Sequence, residues 1–161
     1  MAEEKQTDAG KQLVLQKIYI KDLSFESPRA PEVFGSNVTP QTRLNIKSSA
    51  KEVAAETHEV VLTLTVEAVD EDKTLFVVEI DQAGLFRMQG YSQEELQMLI
   101  GSYCPGTLYP FAREAISDVI TRGGFPQLLL QPINFDALYA QAAKEQGESN
   151  GESAKPSTST H

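Results

Sequence analysis

A chain of 161 residues with 40% hydrophobic content can build one core of ordinary size, which excludes two large domains and a wholly disordered chain. Its 23 acids against 14 bases leave a net charge of -9, a field that repels phosphate backbones and argues against nucleic acid as a partner. The single cysteine allows no disulfide framework within the chain and fits a reducing compartment.

Residues 1–11 mix Glu3, Glu4 and Asp8 with Lys5 and lack the basic and apolar regions of a signal peptide. The longest apolar runs are strand-length, so a soluble cytoplasmic protein is expected. Gln12 to Ser27, rich in Val, Ile, Tyr and Phe, predicts a strand ended by Pro28 and Pro31, with Leu23 and Phe25 on one face and Asp22, Ser24 and Glu26 on the other. A loop over Ala30 to Gln41 leads to a weaker strand, Arg43 to Val53.

The clearest alternation lies between Glu59 and Val69, where Val60, Leu62, Leu64, Val66 and Ala68 share one face and Glu59, Thr63, Thr65 and Glu67 the other. A polar turn, Asp70 to Lys73, joins it to a strand over Thr74 to Met88. There Phe76, Val78, Ile80, Phe86 and Met88 oppose Leu75, Val77, Glu79 and Asp81. Ten acids and two bases fall between Glu56 and Glu95, a local charge of -8, so nearly all of the excess lies in this one stretch, with Glu59, Glu67, Glu79 and Asp81 on the outward face of the hairpin.

The period then changes. Ser92 and Glu95 form a capping-box pattern that opens a short helix through Leu96, Leu99 and Ile100, interrupted by Gly101 and by Pro105-Gly106. A second helix is expected to start at Pro110, bury a stripe of Phe111, Ala115, Ile116, Val119 and Ile120, and stop at Gly123-Gly124. An apolar loop, Phe125 to Ile133, precedes a last helix capped by Asn134 and carrying Phe135, Leu138, Tyr139 and Ala142. From residue 147 on, the composition is that of a disordered tail, leaving one domain over residues 12–146.

Catalytic arrangements are scarce. His58 reads as a surface histidine and Cys104 as a small, partly buried hydrophobe, and two distant histidines with one cysteine make no zinc set. Gly123-Gly124 ends a helix instead of opening one, so it is no phosphate loop. The Asn37-Val38-Thr39 sequon has no meaning in a cytosolic chain. No cofactor and no catalytic or metal residue is expected. Glu79 and Asp81 share an exposed strand face without a pocket, a solvated face or a dock for a basic partner.

The runs Tyr19-Ile20-Lys21-Asp22-Leu23-Ser24-Phe25-Glu26-Ser27-Pro28, Tyr103-Cys104-Pro105, Ala112-Arg113-Glu114, Gly123-Gly124-Phe125-Pro126-Gln127-Leu128 and Pro132-Ile133-Asn134-Phe135-Asp136-Ala137-Leu138-Tyr139 resemble the SecB family of bacterial protein-export chaperones over about residues 12–140. That resemblance implies an α+β fold, a four-stranded antiparallel sheet with C-terminal helices on one face, assembled as a homotetrameric dimer of dimers. It implies no enzyme, but an ATP-independent holdase that keeps unfolded precursors of exported proteins translocation-competent and delivers them to the SecA motor. A general or toxin–antitoxin-linked holdase is the alternative. A small α+β enzyme or a scaffold for one folded partner are the rival classes.

By the same resemblance, Asp22, Glu26, Val77 and Glu79 dock SecA, and Val78, Ile80 and Gln82 hold the tetramer together. Val38, Leu44, Phe111, Phe135 and Tyr139 line the client groove. The chain departs from the family pattern in carrying Val77 in place of a common Leu, Val38 in place of a Trp of some relatives, and Gly106 and Tyr109-Pro110-Phe111 in place of commoner Pro-Asn and Phe-Pro-Tyr.

Overall fold

The computed structural model describes residues 10–152, with side chains to residue 147. Both expected tails fall largely outside that range. The four expected strands are present as β1 (Gln12–Glu26), β2 (Gln41–Ala54), β3 (Thr57–Asp70) and β4 (Lys73–Gln89), all antiparallel in the order β1-β4-β3-β2. The hairpin β3–β4 is therefore central and the other two strands are edges. Its tight turn places Glu71 and Asp72 in the left-handed region (φ 46° and 66°), the backbone a two-residue hairpin of right-handed twist requires.

The alternation in β3 and β4 sorts the side chains as expected except at Leu75, which was placed on the outward face but is an extra residue in the β3–β4 register and is buried. Val60, Leu62, Leu64, Val66, Val78, Ile80 and Phe86 are wholly buried on the face that receives the helices. Burial of each such side chain contributes about 1.5–3 kcal/mol, so the central hairpin anchors the fold. The edge strand β1 carries two irregularities, at Gln16 and Lys21, where its register to β4 slips by one. Each is an extra residue, and each inverts the alternation along β1. Alternation alone does not reveal them.

The helical half departs from expectation. Helix α1 (Gln93–Met98) has the Ser92/Glu95 capping box, and Lys11 Nζ donates to the Glu95 carboxylate at 2.9 Å, tying the start of β1 to it. No break follows at Gly101 or Pro105. A π-turn, Leu99–Tyr103, carries the chain into α2 (Cys104–Arg122). The amide of Cys104 bonds to the Leu99 carbonyl, and this wider turn shifts the ladder by one residue so that Pro105 falls in the first turn of α2, where its missing N–H is tolerated.

Helix α2 thus begins six residues before Pro110, which sits exposed inside the helix. The buried stripe follows the earlier start, through Leu108, Tyr109, Ala112, Ile116 and Ile120, and it excludes Phe111, which is 47% exposed. Helix α2 lies across β4 and β3. At its end Gly123 takes the C-cap, and Gly124 adopts φ 90°. Helix α3 (Phe135–Glu152) begins where Asn134 Oδ1 accepts from the Ala137 amide at 3.0 Å. It runs six residues beyond Gln146, where a disordered tail was expected, because each added residue closes one more backbone bond once a helix is nucleated.

Candidate docking and client surfaces

Registers across the three strand pairs fix which side chains share the face turned away from the helices. Four ranks can be followed from β2 through β3 and β4 to β1: Arg43, Glu67, Val77, Glu26; then Asn45, Thr65, Glu79, Ser24; then Lys47, Thr63, Asp81, Asp22; and then Lys51, Glu59, Leu85, Lys17. The four residues expected to dock a partner, Asp22, Glu26, Val77 and Glu79, stand together on this outer face, with Val77 half-buried and the three acids exposed. Asp22 is directly opposite Asp81. Like charges in that position destabilise a strand pair, so the sheet keeps this patch against its own stability.

Threonines on β3 and β4 hold the patch in shape. Thr63 Oγ1 donates to Asp81 at 2.7 Å, Thr65 Oγ1 to Glu79 at 2.8 Å, and Thr74 Oγ1 to Glu67 at 3.1 Å. Glu59 belongs to the same face but not to the same charge field. It is 8% exposed, accepts hydrogen bonds from the Tyr19 hydroxyl and from Lys21 Nζ (2.8 Å), and has Lys51 Nζ at 3.9 Å. The bond from Lys21 is the largest cause holding its carboxyl below the usual range, with the Tyr19 bond next. Burial, with the bond to Glu59, pushes the Tyr19 phenol up to about 12.

The helix-facing side holds Val78, Ile80 and Gln82 at 0%, 0% and 3% exposure. All three are enclosed by their own chain. The Gln82 amide donates to the Tyr19 carbonyl at 3.1 Å, beside the Lys21 bulge. Exposed apolar area lies next to them. Ile20 on β1 and Phe111 on α2 flank a cleft of about 420 Å³ together with Ile18 and Ala115.

The five expected client-groove residues are spread out in the single chain. Phe111 belongs to the cleft beside β1, whereas Leu44 lies on β2 at the opposite edge of the sheet. Val38 packs against the core from the loop before β2. Phe135 is buried with its ring 5.6 Å from that of Tyr109. A Cβ on Gly101 would run into the Tyr139 ring, so Tyr139 packs on the π-turn, and Ser102 Oγ donates to the Asp136 carboxylate beside it.

An aromatic corner not anticipated from the sequence joins four rings from four segments. Phe125 lies 4.8 Å from Phe76, 5.4 Å from Phe34 and 6.4 Å from Phe25, and Phe25 stacks on Phe76 at 6.0 Å. Phe34 is 53% exposed. The Gly123-Gly124 pair makes the corner possible, since a Cβ on Gly123 would strike the Phe25 ring and one on Gly124 would come within 3.0 Å of Phe34. The adjacency of two glycines to Phe125 was the available signal, hidden because a glycine pair after a helix already has a sufficient reading as its stop.

The residues weighed for catalysis gather no machinery. His58 is half-buried on the helix-facing side opposite Phe86, not on the surface, and its Nδ1 has no partner among the described residues. Cys104 is wholly buried, and desolvation pushes its thiol up to about 12, so no thiolate forms near neutrality. Among the described residues no three His, Cys, Asp or Glu side chains converge as metal ligands, and no helix is long and apolar enough to cross a membrane.

Charged side chains on one side of the sheet and exposed apolar side chains on the other are the two surfaces the chain offers to a partner. Family comparison supplies the class: residues 5–146 match the family described as preprotein translocase subunit SecB, and the chain belongs to this family of protein-export chaperones. It is 51% identical over 136 residues to the protein-export protein SecB of Nitrosococcus oceani, covering 83% of each chain. It is 50% identical to that of Hahella chejuensis, covering 86% of this chain and 89% of the relative. The fold is shared with a SecB-like chaperone of Mycobacterium tuberculosis solved with a ChAD peptide from the HigA1 antitoxin (TM-score 0.63, 18% identity, 75% of this chain and 90% of that one).

Proposed function

We propose that the chain, over residues 12–146, is a cytoplasmic, ATP-independent holdase that binds unfolded precursors of exported proteins and passes them to the SecA motor as a homotetramer. The observation that carries this reading is the division of the surface. The aromatic corner leaves Phe34 half in solvent on the helix side, away from the β1–α2 cleft, while the acids meant for a second partner stand on the other side of the sheet. Client and motor then have separate seats.

Burying about 500 Å² of client apolar surface at ~25 cal/mol/Å² contributes roughly 12 kcal/mol. Ordering about ten client residues at ~1–1.5 kcal/mol each costs nearly as much. A single segment therefore binds weakly, and several seats on one assembly hold a long unfolded chain by avidity. Folding withdraws those segments and releases the client.

Assembly is proposed to run through β1 and α2. Val78, Ile80 and Gln82 act from within, by seating α2 and the edge strand whose apolar residues meet a second copy. The peptide carried by the mycobacterial neighbour suggests a toxin–antitoxin client as a second reading. Relatives at 50–51% identity are export proteins by name, and export is preferred.

The experiment is to dilute a denatured, slowly folding precursor into buffer without ATP and follow aggregation by light scattering. The wild-type protein keeps the precursor soluble, and Phe34→Asp weakens protection several-fold. A precursor that aggregates equally fast with and without wild-type protein overturns the reading.

A further inference from the structure

The outer sheet face carries two signs of charge, and among the described residues Arg43 and Lys47 on β2 remain outside its ion pairs. Arg43 and Lys47 occupy the same ranks as Glu67 and Asp81, on the same face. Lys47 and Asp81 are separated by one intervening strand, a span of about 10 Å at strand spacings near 4.8 Å. Long side chains at such a distance can lean together and neutralise each other. Thr63, the residue between Lys47 and Asp81, donates to the Asp81 carboxylate, and Glu67, directly opposite Arg43, accepts from Thr74 on its other side. Arg43 and Lys47 have no side-chain ion pair or hydrogen bond among the described residues, and neither do Asp22 and Glu26. Lys51 differs, since its charge is shared with the buried Glu59.

We propose that this face is read by a bipolar element of the motor, one that sets cationic groups over Asp22, Glu79 and Asp81 and an anionic group over Arg43 and Lys47. The inference rests on the docking reading above and adds the chemistry of the partner. Two signs on one rigid sheet fix direction as well as attraction, since the partner turned end for end brings like charges together. A segment bearing only positive charge is attracted by the acids and repelled by the two free bases, which discriminates against the many merely basic surfaces in a cell.

The sign of one substitution separates the possibilities. In titration calorimetry with purified SecA and the full-length chaperone, Arg43→Gln with Lys47→Gln weakens binding by about tenfold at low salt, and Arg43→Glu with Lys47→Glu weakens it further. A purely cationic partner predicts the reverse, tighter binding in both variants. Unchanged or tighter binding overturns the bipolar element while leaving the docking face in place. Asp22→Lys with Glu79→Lys is the companion measurement. Its expected result is loss of binding, and binding unchanged in that variant removes the docking reading and this inference with it. All of these positions are solvent-exposed, and thermal unfolding of each variant checks that the sheet is intact.

Discussion

Glu59 differs from the other outward acids in having its charge answered inside the chain. Tyr19, Lys21 and Lys51 surround it, and the first two reach it from β1 across the full width of β4. Removing the carboxylate leaves the Tyr19 hydroxyl unpaired in a partly buried place, so Glu59→Ala is expected to cost about 1–3 kcal/mol in denaturant unfolding. The pH dependence follows from the two shifts. A carboxyl held below its usual range stabilises the fold above that range, and the contribution is lost as pH falls through its lowered value. A phenol raised to about 12 stabilises the fold below pH 10, and that contribution is lost as pH climbs toward 12. Unfolding free energies measured across pH should show a flatter acid limb in Glu59→Gln and a flatter alkaline limb in Tyr19→Phe. Limbs parallel to the wild type in both variants contradict this account. Strand alternation placed Glu59 on the outer face; its neutralisation was illegible because Lys21 sits on a bulge, and alternation carries no information about an extra residue.

Among the elements, β3 and β4 were the most legible, because one face of each is wholly buried and the other meets solvent. The stretch from Gly101 to Pro110 was the least. Glycine and two prolines are breakers by local chemistry, yet a π-turn absorbs Gly101 and places Pro105 where it does no harm. Placing the start of α2 at Pro110 also misassigned Phe111 to the buried stripe, since Leu108 and Tyr109, which mark the buried face, then lay outside the helix. The aromatic corner gives this scale its test. Gly123→Ala drives a methyl group into the Phe25 ring and is expected to destabilise by about 1–3 kcal/mol. Combining it with Phe25→Leu should recover part of that loss, because the two changes share one contact. Strictly additive losses in a double-mutant cycle refute the contact.

At the scale of the whole molecule, the fold encloses Val78 and Ile80 completely and leaves Gln82 almost buried at the floor of the cleft beside β1. The proposed effect of Val78 and Ile80 on assembly is therefore indirect. Gln82→Phe enlarges a side chain enclosed beneath α2 and removes the amide that bonds the Tyr19 carbonyl, disturbing the helix and the edge of β1 together. Light scattering is expected to show a smaller assembly for Gln82→Phe, and the same for Phe111→Asp, which places a charge in the cleft without touching the core. A tetramer retained by both variants contradicts assembly through this side. Which residues belong to this side was legible from their alternation. How they reach a neighbour was not, because pattern along one chain does not say whether an apolar face is closed by that chain or by another.

Strand β2 has a consequence for how such a protein survives its own clients. It is an edge of 14 residues whose side chains are exposed almost throughout, with one row of ladder groups open to any extended chain that drifts past. Unfolded precursors are extended chains of that kind, and a receptor that paired with them strand to strand would seed the aggregates it exists to prevent. Arg43, Lys47 and Lys51 project along the edge on one face, and polar Asn45 and Ser49 lie between them. Such an edge is poor as a template. Side chains, not backbone, then do the capturing, which keeps the grip reversible.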